Sequence, residues 1–223
     1  MRDQIKLLAL DLLIQHGYRG VSFGDIAGAL KTTRANIHYH FGSKQNLVEE
    51  VLEDYVEDTL SGMQAVLTRD ELSLLKKIEA TVEISRRRHA KYNPPGKNGR
   101  PWSLIARMRQ DSDALTVRGR AALKRFAQGL ELSITSAVRN AKDRGEFVDS
   151  MPAEDIALQL VSIANSAGPI TQDAGNFERL EQLYMAFARI IQHAYGLKTV
   201  RGTPASRRGN LRFASRAPDK RAE

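Results

Sequence analysis

Apolar residues recur at three- and four-residue steps along most of the chain, the spacing that places them on one face of an α-helix. Period-two alternation is scarce, and no strand–turn–strand signal stands out. The pattern predicts an all-α protein. A first helix over Asp3 to His16 carries Ile5, Leu8, Ala9, Leu12 and Leu13 on its apolar face and stops at Gly17. Ser22 with Asp25 three residues on reads as a capping box, opening a second helix that buries Ile26, Ala27 and Leu30. Thr33 caps a third helix from Arg34 to about His40, broken at Gly42. Ser43 caps a long fourth helix through Leu47, Val48, Val51, Leu52, Tyr55, Val56 and Leu60. Further helices are predicted near 70–91, 101–112, 114–144, 153–168 and 176–196, with Ser150 capping the fourth of these and Pro152 in its first turn. Tyr92 to Pro101, "YNPPGKNGRP", reads as a loop, and "AGPITQDAGN", Ala167 to Asn176, as the separator of the last two helices.

One stretch breaks the balance. "TTRANIHYHFGSK", Thr32 to Lys44, has only Ile37 and Phe41 as strongly apolar positions. Three short helices and a long one, with a short gap between the second and third, form a helix-turn-helix, whose second helix enters the DNA major groove. Such a helix buries a narrow stripe and offers its other positions to the groove. Thr32 and Thr33 sit at the positive helix end, where hydroxyls and N–H groups hold phosphate. Arg34 pairs with guanine or phosphate, and Asn36 suits a bidentate adenine contact. His38, Tyr39 and His40 suit phosphates, sugars and thymine methyls. Lys44 is a natural phosphate ligand in the first turn of the next helix, where a cation needs an external anion. Lys31 is within reach of the DNA backbone, and Ser22 joins the set at the head of the second helix.

Composition adds exclusions. The chain of 223 residues has no cysteine, so disulfides, thiolate metal sites and cysteine nucleophiles are out. His38 and His40, two apart on a helix, diverge and make no metal pair. Paired carboxylates, a nucleophile elbow and a Gly-rich phosphate loop are missing, so neither an enzyme nor a cofactor is expected. The first residues lack the uninterrupted apolar run of a signal peptide, and no run has the length of a membrane span, which points to a cytoplasmic protein without a membrane partner. The net charge of +8 favours an anionic partner. After Lys198, however, seven basic residues face two acidic ones, so +5 of that charge lies in an Arg-, Gly- and Pro-rich tail. That tail, 199–223, is expected to be disordered and to attract DNA non-specifically. "RRRH", Arg86 to His89, reads as a solvated helix end, and Trp102 as core before ligand platform.

Gly17-Tyr18, Val21-Ser22, Asp25-Ile26-Ala27, Thr32-Thr33, His38-Tyr39-His40-Phe41-Gly42-Ser43-Lys44 and Leu47 together resemble the N-terminal motif of the TetR family of one-component bacterial transcriptional repressors, from about Ile5 to Val51. Lys31 stands where the family commonly has glycine; if that position is left-handed, lysine costs roughly 1 kcal/mol. Leu30 replaces a smaller alanine. The resemblance implies a helix-turn-helix domain over 1–47, joined by the fourth helix to a helical effector-binding and dimerisation domain over 48–198. It implies a homodimer through the last two helices, along Ile156, Leu160, Ile163 and Ala167 on one and Leu180, Leu183, Tyr184, Phe187, Ile190 and Ile191 on the other. It also implies a small-molecule effector in the middle helices, with Tyr55, Trp102, Ile105, Met108, Phe126 and Leu130 as lining, Arg107 or Arg109 facing an acidic ligand, and the 92–101 loop as entrance or lid. The expected function is repression from a palindromic operator, relieved when the effector shifts the fourth helix. An architectural, largely sequence-independent DNA-binding protein is the alternative.

Overall fold

The computed structural model describes residues 1–197; the basic tail lies outside the described residues. Ten α-helices account for the described fold: α1 (Arg2–His16), α2 (Phe23–Ala29), α3 (Arg34–Phe41), α4 (Lys44–Leu67), α5 (Leu74–Tyr92), α6 (Leu104–Gln110), α7 (Val117–Asp143), α8 (Ala153–Asn165), α9 (Ala167–Ala174) and α10 (Glu178–Tyr195). A single 3-10 turn, Ser112–Ala114, links α6 to α7. The helix starts follow from side-chain chemistry. Ser22, Thr33, Ser43, Ser73, Ser103 and Thr116 each accept a hydrogen bond from a backbone N–H of the first turn, satisfying a donor that the helix leaves free. At α2 the box is reciprocal, with Ser22 N donating to Asp25 Oδ2 over 2.8 Å.

Two expectations fail at caps and breaks. Ser150 caps nothing: Pro152 stands at the N-cap of α8 and no side chain bonds there. The segment read as a separator holds α9, because Pro169 sits in the helix's first turn, where its missing N–H has no partner to lose. Left-handed Gly175 then ends that helix.

α1, α2, α3 and the start of α4 pack together around buried Ile5, Leu13, Ile26, Ile37, Phe41 and Leu47. α4 continues without a break into the larger part, where it packs on α7. α7 buries Ala122, Phe126, Leu130, Ile134, Val138 and Ala141 along one stripe, against α4 on one side and α8 on the other. Polar ties fix that crossing. Arg118 forks onto Glu53 at 3.0 and 2.5 Å, and Thr116 donates its hydroxyl to buried Glu49. α10 lies across α5, α8 and α9.

This packing corrects the dimer stripe. Ile156, Leu160, Leu180, Tyr184 and Ile191 are buried within the single chain, so they have no surface to give to a partner. Ile163, Ala167, Leu183 and Phe187 remain half-exposed, while Leu158 and Ile190 stand out at 60% and 61% exposure. The outer apolar face around α8 and α10 therefore keeps only the part of the expected stripe at Ile163, Ala167, Leu183, Phe187 and Ile190, because the deeper residues of each helix serve the protomer's own core.

Candidate nucleic-acid interface and interior cavity

The turn between α2 and α3 is a Schellman motif. Thr32 N donates to Ala27 O over 2.9 Å and Lys31 N to Gly28 O over 3.2 Å. The motif needs a left-handed residue after the C-cap, and Lys31 takes it at φ 51°, unusual for a residue with a Cβ. The turn keeps its form, and lysine there projects from the head of α3.

Thr33 Oγ1 accepts from Asn36 N at 3.1 Å, and Thr32 Oγ1 accepts from Asn36 Nδ2 at 2.9 Å. The second bond holds the Asn36 amide while leaving its carbonyl oxygen free. Ile37 and Phe41 point inward, one turn apart. The helical period then puts Ala35 and Tyr39 farthest from the core, flanked by Asn36 and His38. Tyr39 is 85% exposed, a large aromatic ring given to solvent. Ala35, absent from the sequence-based set, shares that outer face; a small apolar residue there suits a thymine methyl.

Other members of the set are held closer to the protein. Arg34 lies against the backbone of Gly24, so close that a Cβ on Gly24 would meet its guanidinium at 2.6 Å. His38 meets the Phe23 ring edge-on at 5.3 Å. The Ser22 hydroxyl is spent on the Asp25 carboxylate, which that bond, with a lesser contribution from Arg34, holds below the usual carboxylate range. His40 is half-buried beside Tyr39. Lys44 sits in the first turn of α4 with Nζ 4.5 Å over the Tyr18 ring, and desolvation lowers its pKa against the opposing pull of Asp111 and Asp25. A half-desolvated cation at a helix N-terminus gains from an external phosphate.

Behind this head lies a small cavity between α4, α5, α6, α7, α8 and α10, about 60 Å³ in volume. Tyr55, Trp102, Ile105, Phe126 and Leu130 line it; Met108 does not, being fully buried on another face of α6. Arg109 reaches the cavity, while Arg107, two residues earlier, lies on the opposite face of the helix against Gly17. Sequence reasoning missed Thr59, Ser85, Arg88, Asn165 and Tyr184, polar positions scattered over four helices that only the fold gathers. Residues 92–100 of the expected lid contribute nothing to the lining. Asn93 pins that loop instead, accepting from Arg100 N at 2.8 Å and donating to His89 O at 3.2 Å. Trp102 has both roles: it is buried, donates to Thr171 Oγ1 over 2.7 Å, and lines the cavity.

α6 joins the two regions. Ile105, Ala106 and Arg109 line the cavity. Just beyond the helix, Asp111 accepts from Tyr18 N at 2.9 Å and from Arg19 at 3.1 Å, and Arg19 also pairs with Asp113. The receiving turn is built for this approach. Gly17 takes φ 73°, ψ −179°, a region essentially reserved for glycine, and a Cβ there would come within 2.6 Å of Asp111 Oδ2.

Residues 8–51 match the family model described as bacterial regulatory proteins, tetR family. The chain is 35% identical over 52 residues to the HTH-type transcriptional regulator QacR of Staphylococcus aureus, covering 23% of this chain and 28% of that protein. It is 36% identical over 95 residues to the HTH-type transcriptional regulator AcrR of Shigella flexneri, covering 39% and 44%. The matched stretches thus span less than half the length of either relative. A crystal structure of regulatory protein TetR from Rhodobacter sphaeroides shares the fold, with a TM-score of 0.72 at 17% identity over 84% of this chain and 96% of that one. No helix among the described residues is long and apolar enough to cross a membrane. Residues 8–51 are thus similar to the DNA-binding segment of the tetR family of bacterial regulatory proteins, and the described chain shares the fold of solved TetR-type regulators.

Proposed function

We propose that the protein is an effector-responsive repressor that binds a palindromic operator as a homodimer. The observation that carries the DNA reading is the outer face of α3: Tyr39, Ala35 and Asn36 stand away from the core on a helix locked by two caps. Exposing an aromatic ring to this degree serves nothing in the isolated protomer. In a major groove it meets sugar and thymine surface, while Lys31, Thr33, Arg34 and Lys44 take phosphates or base edges.

Two-fold symmetry places two copies of α3 in successive major grooves. The apolar outer face of α8 and α10, with Leu158, Leu183, Phe187 and Ile190, is the proposed subunit contact. Packed against its symmetry mate, it becomes a four-helix arrangement that buries its own apolar residues.

The cavity is the proposed effector site, and α6 with α4 the route to DNA. A ligand between Tyr55 of α4 and Arg109 of α6 bears on both helices at once. Movement of α6 along its axis pulls Asp111 against the Tyr18 N–H and displaces the α1–α2 turn. The operator is released only if the ligand binds the displaced arrangement more tightly than the DNA-bound one.

The test is the stoichiometry and symmetry of the complex. Sedimentation of the purified protein with a selected duplex is expected to show two chains per site. Leu158→Asp with Ile190→Asp is expected to abolish both self-association and specific binding while leaving helicity intact. Tight, site-specific binding by a monomer would overturn the dimeric reading, and binding indifferent to sequence would replace it with an architectural one.

A further inference from the structure

Arg109 is a cation without a counter-charge. Its guanidinium is half-buried in the cavity wall, 5.9 Å from the Phe126 ring centroid, and its hydrogen bond is to the neutral Asn165 Oδ1 at 3.0 Å. No carboxylate among the described residues lies within ion-pairing distance. Burial lowers its pKa, and no acidic neighbour offsets that effect. The other cavity arginine is different. Arg88 pairs with Asp58 at 2.9 Å and donates to Thr59 Oγ1 at 2.6 Å. The cavity therefore holds one uncompensated positive charge.

The surroundings define what would complete it. Tyr184 lines the same cavity and is buried, and no hydrogen bond of its hydroxyl is found among the described residues. Among the described residues, Asn165 is engaged only through its oxygen, which leaves its amide nitrogen as a second donor. Around these donors the walls are apolar: Ile105, Phe126, Leu130 and Met63. A partly buried charge left unpaired is costly, and a planar guanidinium fork matches a carboxylate's two oxygens.

We infer that the cavity, about 60 Å³ as it stands and widened by movement of its walls on binding, takes an apolar monocarboxylic acid, its carboxylate on Arg109 and its hydrocarbon or aromatic body against Phe126, Ile105 and Leu130. One free positive charge selects a monoanion over a dicarboxylate or a phosphate monoester. This rests on the reading of the cavity as the effector site, and it names the ligand class that reading leaves open.

The experiment is calorimetric titration of the full chain with matched acid–amide pairs: benzoate and benzamide, phenylacetate and phenylacetamide, hexanoate and hexanamide. At least one acid is expected to bind clearly more tightly than its amide. Arg109→Gln is expected to weaken that acid roughly tenfold to a hundredfold, the range of a lost charged hydrogen bond, and to leave the amide unchanged. Arg109→Lys, which keeps the charge but not the fork, is expected to fall between. If Arg109→Gln does not fold, Arg109→Lys and the acid–amide contrast in the unaltered chain decide. Amides that bind as well as their acids, no acid that binds at millimolar concentration, or an acid preference that survives Arg109→Gln would each overturn the inference. Operator release is read separately. An acid that binds through Arg109 without releasing DNA upholds the ligand class and sinks the switch. A neutral ligand that occupies the cavity and releases DNA, with Arg109 idle, does the reverse.

Discussion

Asp111→Ala cuts the contact through which α6 is proposed to move the DNA-reading head. In the native protein the carboxylate is 16% exposed, accepts from Tyr18 N at 2.9 Å, and closes over a glycine-only turn at Gly17. A hydrogen bond from a partly buried amide to a charged acceptor contributes about 1.5–3 kcal/mol. The Arg19 pairing is open to solvent and adds nothing to that figure. The variant is therefore expected to lose about 2 kcal/mol, lowering Tm by roughly 4–8 °C for a chain of this size. Stability alone does not separate a strut from a transmitter. The deciding assay measures operator affinity by fluorescence anisotropy with and without saturating effector, beside effector affinity by calorimetry. If α6 transmits, effector affinity changes little while the effect of ligand on operator affinity, typically 5- to 150-fold in coupled systems, collapses towards unity. Asp113→Ala removes only an Arg19 partner and is expected to keep the coupling. An Asp111→Ala protein that is destabilised yet still released by effector to the native extent would refute the α6 route.

Three other outcomes are expected. Lys31→Gly relieves a left-handed lysine, so it raises stability by about 1 kcal/mol in denaturant titration; if Lys31 touches phosphate, the salt slope of DNA binding falls by about one as well. Ser43→Ala removes the cap of α4, which supports α3 from behind, and is expected to cost about 1 kcal/mol by the same titration. His89 is packed against Phe177 and Trp102 with a buried, unpartnered Nε2; burial holds its pKa below the ordinary 6.5, with Glu178 opposing and Arg86 assisting. The unfolded chain then takes up this proton before the folded one, so stability is full above pH 6.5 and declines as pH falls below it, and His89→Phe is expected to flatten that slope in unfolding curves taken from pH 7.5 to 5.

The helix-turn-helix was legible because its signals are local. Ser22, Thr33 and Ser43 each bond a backbone amide three residues on, so residue type and spacing suffice to locate them. α9 was missed for the same reason in reverse. Gly168-Pro169 reads as a break, yet proline in a first turn breaks nothing, and whether such a helix forms depends on packing. On α8 and α10 the three-and-four spacing correctly marked an apolar face but carried no information about what that face meets. Ile156, Leu160 and Leu180 turned to the protomer's interior, Ile190 of the expected stripe stayed outside, and Leu158, off the stripe, joined it there. The cavity was the least legible. Its aromatic lining drew attention by size, but the pairing of Arg88 with Asp58 and the isolation of Arg109 are relations across helices, invisible in linear spacing. The basic tail lies outside the described residues; deleting it is expected to flatten the salt dependence of DNA binding while sparing site preference.

The most direct test of the central claim is selection of bound sequences from a random double-stranded DNA library by the purified full chain at physiological salt. The account predicts enrichment of two inverted half-sites, about one helical turn between centres, with a preference over random DNA of a thousandfold or more. Recovered DNA without a shared sequence, from protein that is folded and dimeric, would contradict it.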